Sequence, residues 1–203
     1  MMEVVPGLDL WPSYLDRPQQ DALLTEVDDV LRAAPPFVPT MPRSGKPFSV
    51  RMSNCGPLGW VSDSKGYRYQ PHHPETGQPW PPIPHILLQV WHAVAAYPHP
   101  PEACLINLYD GSARMGLHQD RDEGDFDAPV LSLSLGDTCV FRIGGTTRNA
   151  PTRSFRLASG DALRLGGPAR LAFHGVDRIL PGSSSLLTGG GRINLTMRRV
   201  TLP

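Results

Sequence analysis

His118-Gln119-Asp120 sets an imidazole and a carboxylate two residues apart, and His174 offers a second imidazole more than fifty residues on. On an extended segment, residues i and i+2 project to the same face. His118 and Asp120 can therefore share one metal ion, with His174 arriving from a separate strand. Two imidazoles and one carboxylate form the facial ligand set of non-haem Fe(II), which leaves the opposite positions open for a co-substrate and oxygen. The same ligands also suit zinc, although an all-imidazole set would fit zinc hydrolysis better.

A second pattern, Arg192-Ile193-Asn194-Leu195-Thr196-Met197-Arg198, bears on that choice. As a β-strand it turns Arg192, Asn194, Thr196 and Arg198 one way, while Ile193, Leu195, Met197 and Val200 supply the buried side. Two arginines on the inner face of one strand need an anionic partner. A guanidinium makes a bidentate, charge-assisted contact with a carboxylate, so a dicarboxylate that also chelates iron is the expected occupant. Arg198 is the expected anchor of its far end, with Asn194, Asn107 and Tyr109 as neutral donors. A zinc hydrolase on a cupin-like barrel leaves Arg192 and Arg198 unexplained.

These residues need elements to hold them. From Ala103 onward short alternating segments are separated by turns: 103–109, 130–135, 138–143, 154–157, 161–165, 171–175 and 192–201 all read as strands. Leu131, Leu133 and Leu135 face one way and Ser132 and Ser134 the other, a strict period of two. Strands at this spacing predict a sandwich or jelly-roll barrel whose mouth gathers inward polar residues. Upstream, 16–34 predicts an amphipathic helix with Leu23, Leu24, Val27, Val30 and Leu31 on one stripe, stopped by Pro35-Pro36. A second helical stripe runs from Pro84 to Tyr97 through Leu87, Val90, Trp91 and Val94. Between the helices, the chain is rich in proline and glycine and suits short strands and loops that cover a site. Gly189-Gly190-Gly191 precedes the last strand as a turn, with no helix after it to make a phosphate loop.

The chain has 203 residues and a formal net charge of zero, enough for one sizeable domain and no general bias toward polyanions. No apolar run is long enough to span a bilayer, and Met1–Leu10 lacks the features of a signal peptide, so a cytoplasmic address is expected. Cys55, Cys104 and Cys139 are widely spaced without a C-x-x-C, and are expected as small buried thiols. Charge is local. Arg43, Lys46, Arg51, Lys65 and Arg68 face the single Asp63 between Pro42 and Gln70, with Phe48, Trp60, Tyr67 and Tyr69 interleaved. A second stretch, 141–156, holds Arg142, Arg148, Arg153 and Arg156 and no acid. Cations mixed with aromatic faces are what a single-stranded or flipped nucleotide requires, although a solvated basic loop has the same composition. The five histidines at 72, 73, 85, 92 and 99 match no ligand motif, and Glu123 is expected as a solvated charge.

Taken together, the stretches 54–60, 66–69, 79–81, 107–109, 118–123, 144–149, 173–175 and 192–198 resemble AlkB-type Fe(II)/2-oxoglutarate-dependent dioxygenases, which repair alkylated nucleic acids. The resemblance runs from Val5-Pro6-Gly7 to Arg198. It implies a mainly β fold with α elements: a double-stranded β-helix (jelly-roll, cupin-like) core at 103–203. Residues 1–102 would form an N-terminal extension of helices and a nucleotide-recognition lid at about 36–82, integrated with the core in one unit. It implies Fe(II) on His118, Asp120 and His174, with 2-oxoglutarate and O2 as co-substrates. Asn107, Tyr109, Ser132, Arg192, Asn194, Thr196 and Arg198 would line the 2-oxoglutarate pocket, Arg198 gripping the distal carboxylate. Trp60, Tyr67, Arg68 and Tyr69 would belong to the lid, Trp60 and the His118 ring stacking on either side of the damaged base. Asp122 would contact its exocyclic amine and Arg148 would line the nucleotide site. The implied reaction is oxidative demethylation of 1-methyladenine or 3-methylcytosine in single- or double-stranded DNA, or in RNA, releasing formaldehyde, succinate and CO2. A monomer without a partner protein is expected. The rival readings are the same chemistry on tRNA, mRNA or protein, and a jelly-roll binder of methylated bases without turnover. The binder predicts loss of a metal ligand, and none is missing.

Overall fold

In the computed structural model, which describes Met1–Pro203, two antiparallel sheets face each other across a cavity. The chain runs β1 (Met2–Val5), β2 (Leu8–Trp11), α1 (Arg17–Ala33), β3 (Arg51–Cys55), β4 (Gly59–Asp63), β5 (Gly66–Gln70) and α2 (His85–Val94). It continues with β6 (Ala103–Tyr109), β7 (Met115–His118), β8 (Val130–Gly136), β9 (Cys139–Ile143), β10 (Arg153–Leu157), β11 (Ala162–Leu165), β12 (His174–Ile179) and β13 (Arg192–Arg198). The larger sheet has the order β1-β2-β11-β8-β13-β6-β3, the smaller β10-β9-β12-β7, and β4 and β5 form a separate hairpin. This is the expected jelly roll.

Alternation builds its layers. Leu131, Leu133 and Leu135 of β8, Ile193, Leu195 and Met197 of β13, and Cys104 and Ile106 of β6 pack with Leu23, Val27 and Val30 of α1 and Leu87, Val90, Trp91 and Val94 of α2. The two helices therefore cover the outer face of the larger sheet. The opposite side of the same three strands carries the polar set, with Ser132, Asn107, Arg192, Asn194, Thr196 and Arg198 all on the cavity wall. Leu8, Leu163 and Leu165 from the larger sheet and Phe141, Ile143 and Val176 from the smaller one close the apolar layer between the sheets. α1 starts at a capping box, in which the Asp16 side chain accepts from Gln19 N and the Gln19 side chain accepts from Asp16 N.

Residues 1–102 share the larger sheet with the core: β2 pairs with β11 and β3 with β6, which puts three N-terminal strands in it. One expectation changes. The strand expected at 171–175 begins instead at His174 and runs to Ile179. A 3-10 turn at Gly167–Ala169 carries the chain into a bend, so extended backbone starts only at the ligand itself. All three cysteines are free and buried, as expected.

Candidate metal and co-substrate site

β7 and β12 are antiparallel neighbours with His118 opposite His174, a register that brings the two imidazoles together. Their ring centroids lie 4.6 Å apart. Asp120, just beyond β7, completes the group: Oδ1 is 3.7 Å from His118 Nε2 and Oδ2 is 3.7 Å from His174 Nε2. Each histidine Nδ1 faces a main-chain carbonyl, Gly116 at 2.9 Å and Ala172 at 3.0 Å. A proton held on Nδ1 by that carbonyl leaves the Nε2 lone pair free for a metal. Gly175, next to His174, lets β12 approach β7 this closely; a Cβ there would meet the Met115 carbonyl oxygen at 2.5 Å.

Protonation suits the same task. Burial, reinforced by the His118 charge, pushes the His174 imidazole down to about 4, so it is neutral at ordinary pH. Burial acts to raise the Asp120 carboxyl, but Arg198, His174 and His118 outweigh it and hold the group well below the usual carboxylate range. Among His, Cys, Asp and Glu side chains, only this trio could converge on a metal ion.

The trio opens into a cavity of about 790 Å³. Five buried polar atoms make no hydrogen bond of good geometry: Asn107 Oδ1, Asp120 Oδ2, Arg192 Nε, and Arg198 Nε and Nη1, although Asp120 Oδ2 and Arg198 Nε each have an ion-pair partner. All four residues wall that cavity. Such atoms cost about 1–3 kcal/mol each when left unsatisfied. Clustered donors and a ligand oxygen around one space fit a metal ion with an anionic chelator.

The two arginines stand at opposite ends of β13, about 20 Å apart along the strand. Arg198 Nη2 lies 2.9 Å from Asp120 Oδ2 and Arg198 Nε 3.3 Å from Glu123 Oε1. It therefore sits at the metal end, which removes it from the distal position expected for it. Arg192 occupies the far end, only 2% exposed, donating to Ser134 Oγ at 2.6 Å and to the Asp137 and Leu157 carbonyls. Tyr109 lies beside it, with its phenol raised by burial. Between the ends, Asn194 donates to Ser132 Oγ at 2.6 Å and accepts from Thr196 Oγ1 at 2.7 Å, so its amide is already engaged.

Trp60, Tyr67 and Tyr69 of the β4–β5 hairpin also line the cavity, with Asp122 and Arg148. The Trp60 indole donates to Asp122 Oδ2 at 2.8 Å, is stacked with Tyr67 at 5.6 Å between ring centroids and meets Phe48 in a T-shaped contact at 6.2 Å. Arg68 is not brought to the cavity. It alternates with Tyr67 and Tyr69, so it projects from the other face and forms a bidentate pair with Asp63. That pair holds the Asp63 carboxyl down at about 2.

Glu123 differs most from expectation. It is buried, not solvated, and bridges Arg170 at 3.2 Å, Arg198 and the Tyr69 hydroxyl. Arg170, which the motifs do not mark, also donates to the main-chain carbonyl of Asp120 at 2.7 Å and to that of Ala128 at 2.8 Å. Only its burial distinguishes it from a surface arginine.

Comparison with known proteins agrees with this geometry. The profile of the 2OG-Fe(II) oxygenase superfamily matches residues 7–198. An alpha-ketoglutarate-dependent dioxygenase AlkB homolog of Caulobacter vibrioides is 62% identical over 98% of this chain and 90% of its own. The alpha-ketoglutarate-dependent dioxygenase AlkB of Escherichia coli K12 is 41% identical over 88% of this chain and 84% of its own. The solved structure of OsALKBH1 superposes with a TM-score of 0.83 at 30% identity, covering 98% of this chain and 99% of that one. The chain belongs to the 2OG-Fe(II) oxygenase superfamily, within its AlkB branch. It is an Fe(II)- and 2-oxoglutarate-dependent dioxygenase, and its third reactant is O2.

Proposed function

We propose that this enzyme removes alkyl groups oxidatively from 1-methyladenine and 3-methylcytosine in DNA. One observation carries the substrate class: an indole held by a carboxylate, Trp60 on Asp122, lines the same cavity as His118 and His174. Methylation at those ring nitrogens makes the base cationic and weakens its pairing, so it flips at lower cost. A flat aromatic face and a nearby carboxylate favour that cation over the undamaged base. When bound, Fe(II) with 2-oxoglutarate and O2 supplies the oxidant that hydroxylates the methyl carbon, after which formaldehyde leaves. The chain's own residues do the positioning. His118, Asp120 and His174 hold the metal, Arg192 and Tyr109 hold the distal carboxylate, and Arg198 steadies Asp120. Trp60 and His118 sandwich the base, while Arg148 and Tyr67 stand where the flanking phosphates would pass.

Relatives that act on RNA include a tRNA demethylase of Schizosaccharomyces pombe, 36% identical over 49% of this chain. Iron and 2-oxoglutarate ligands do not choose between the two polymers. We take the enzyme to act as a monomer, and no helix is long and apolar enough to cross a membrane. We place the enzyme in the cytoplasm.

The test is anaerobic loading with Fe(II) and 2-oxoglutarate, then air and a DNA oligonucleotide carrying either base. Stoichiometric formaldehyde and repaired base are expected. Arg192→Gln should give the same products only at 2-oxoglutarate concentrations raised about 10- to 100-fold, the loss of one charge-assisted carboxylate contact. Succinate without base repair would overturn the substrate, and unchanged co-substrate affinity in Arg192→Gln would overturn the anchor.

A further inference from the structure

Of the second basic stretch, only Arg148 reaches the active-site cavity. The others lie on the smaller sheet. In β9, Cys139, Phe141 and Ile143 belong to the layer between the sheets, so alternation turns Val140 and Arg142 to the outer face. The register extends that face sideways: Arg156 of β10 and Arg178 of β12 both stand opposite Val140, about 5 Å to either side. β7, β9, β10 and β12 carry four arginines, Arg142, Arg153, Arg156 and Arg178, against one acid, Asp177. Asp177 lies between two of them, 3.7 Å from Arg142 and 3.1 Å from Arg178.

Arg142 also lines a cleft of about 280 Å³ with Asp177 and with Arg114, which immediately precedes β7. Met115, Gly116, Leu117 and Val176 wall both this cleft and the active-site cavity. The edge strand β7 is thus a shared ridge, with the metal site on one side and a cationic groove on the other.

We propose, on the nucleic-acid reading of the cavity, that this groove and the outer face of the smaller sheet bind the sugar-phosphate backbone beyond the flipped nucleotide. On this proposal a chain with one nucleotide in the cavity runs between the β4–β5 hairpin and β7, both of which line it. The hairpin's Arg68 is already neutralised by Asp63. Over β7 the backbone meets Arg114 and Arg142, then Arg178 and Arg156, whose planar forks match phosphate oxygens. Asp177 holds two of the guanidiniums side by side and offsets part of their charge. The contact carries no base information, so it lengthens the footprint on the strand without narrowing the sequence.

Labelled single strands with one central 1-methyladenine, of about three and about fifteen nucleotides, test this by fluorescence anisotropy across a salt series. Formaldehyde release from both strands is followed in parallel. The Arg142→Gln/Arg178→Gln double variant should lose about 10-fold in affinity for the longer strand, its log K against log salt slope becoming shallower by about 1–2. Binding and turnover of the shorter strand should not change. Asp177→Asn should act with the opposite sign and tighten the longer strand about 3-fold. Arg142 also donates to Thr152, so if its replacement unfolds the protein, the exposed pair Arg156→Gln/Arg178→Gln carries the same test. Unchanged affinity and salt slope for the longer strand, or equal losses on both strands, would overturn the groove. Absence of turnover on either strand by the parent enzyme would instead count against the substrate reading of the cavity, while binding still reports on the groove.

Discussion

Asp120 is asked to be an anion, a metal ligand and a buried residue at once, and its neighbours make that possible. The two imidazoles and Arg198 surround it, and Arg170 fixes its main-chain carbonyl. Glu123 ties that arrangement together by pairing with both arginines. Removing one partner of a buried ion pair leaves the other charge uncompensated, a loss of about 3–5 kcal/mol. Glu123→Ala should therefore lower the melting temperature by roughly 6–20 °C, at about 2–4 °C per kcal/mol for a chain of this size. A melting curve like that of the parent would return Glu123 to the solvated role expected from sequence. The iron ligands were legible because their chemistry lies in residue type and spacing. Glu123 was not, because its burial comes from Arg170 and Arg198, 47 and 75 positions away. Arg198 is found beside Asp120 and not at the distal end for a related reason: a strand pattern tells which face a side chain takes but not which end of the strand meets the metal.

At the scale of elements, strict alternation decided what could be read. β6, β8 and β13 have core on one face and polar cavity on the other, so their period of two stands out, and α1 carries an apolar stripe between clear stops. β1, β2 and β7 have four residues each and lie outside the strands that the sequence marks. β12 hides its pattern in a bulge at Asp177. The β4–β5 hairpin was legible as an aromatic cover but not in its facing, which sends Tyr67 and Tyr69 to the cavity and Arg68 away. It packs firmly: Gly59 lies so close to Trp80 that a Cβ would meet the indole at 2.4 Å. Trp60 itself is only partly buried and is available to stack on a base. Trp60→Ala should weaken binding of a methylated oligonucleotide by about 1–3 kcal/mol, the size of one base-aromatic stack, with little change in melting temperature. Titration of labelled strands separates the outcomes, since unchanged affinity with a lowered melting temperature would make Trp60 a packing residue.

For the whole molecule, the question is whether the N-terminal half can be separated from the metal-binding half. Leu8 addresses it directly. It is fully buried on β2, pairs with Leu165 of β11, and joins the apolar layer between the sheets that also contains Phe141 and Val176. Asp9, next along β2, pairs with Arg164 of β11, and Arg164 in turn donates to the Val94 and Ala95 carbonyls at the end of α2. Strand, sheet and helix are thus joined through the first dozen residues. Leu8→Ala removes apolar contacts and leaves a cavity, at a cost of about 2–5 kcal/mol. If the chain is one cooperative unit, denaturant unfolding of this variant should shift to a lower midpoint as a single transition, with tryptophan fluorescence and bound-metal signal lost together. If residues 1–102 were a detachable extension, the tryptophans at 11, 60, 80 and 91 would report an early transition while the metal held by His118, Asp120 and His174 stayed in place. The pairing of β2 with β11 and of β3 with β6 argues for the first outcome, because unfolding either N-terminal strand exposes an edge of the sheet that carries Arg192 and Arg198.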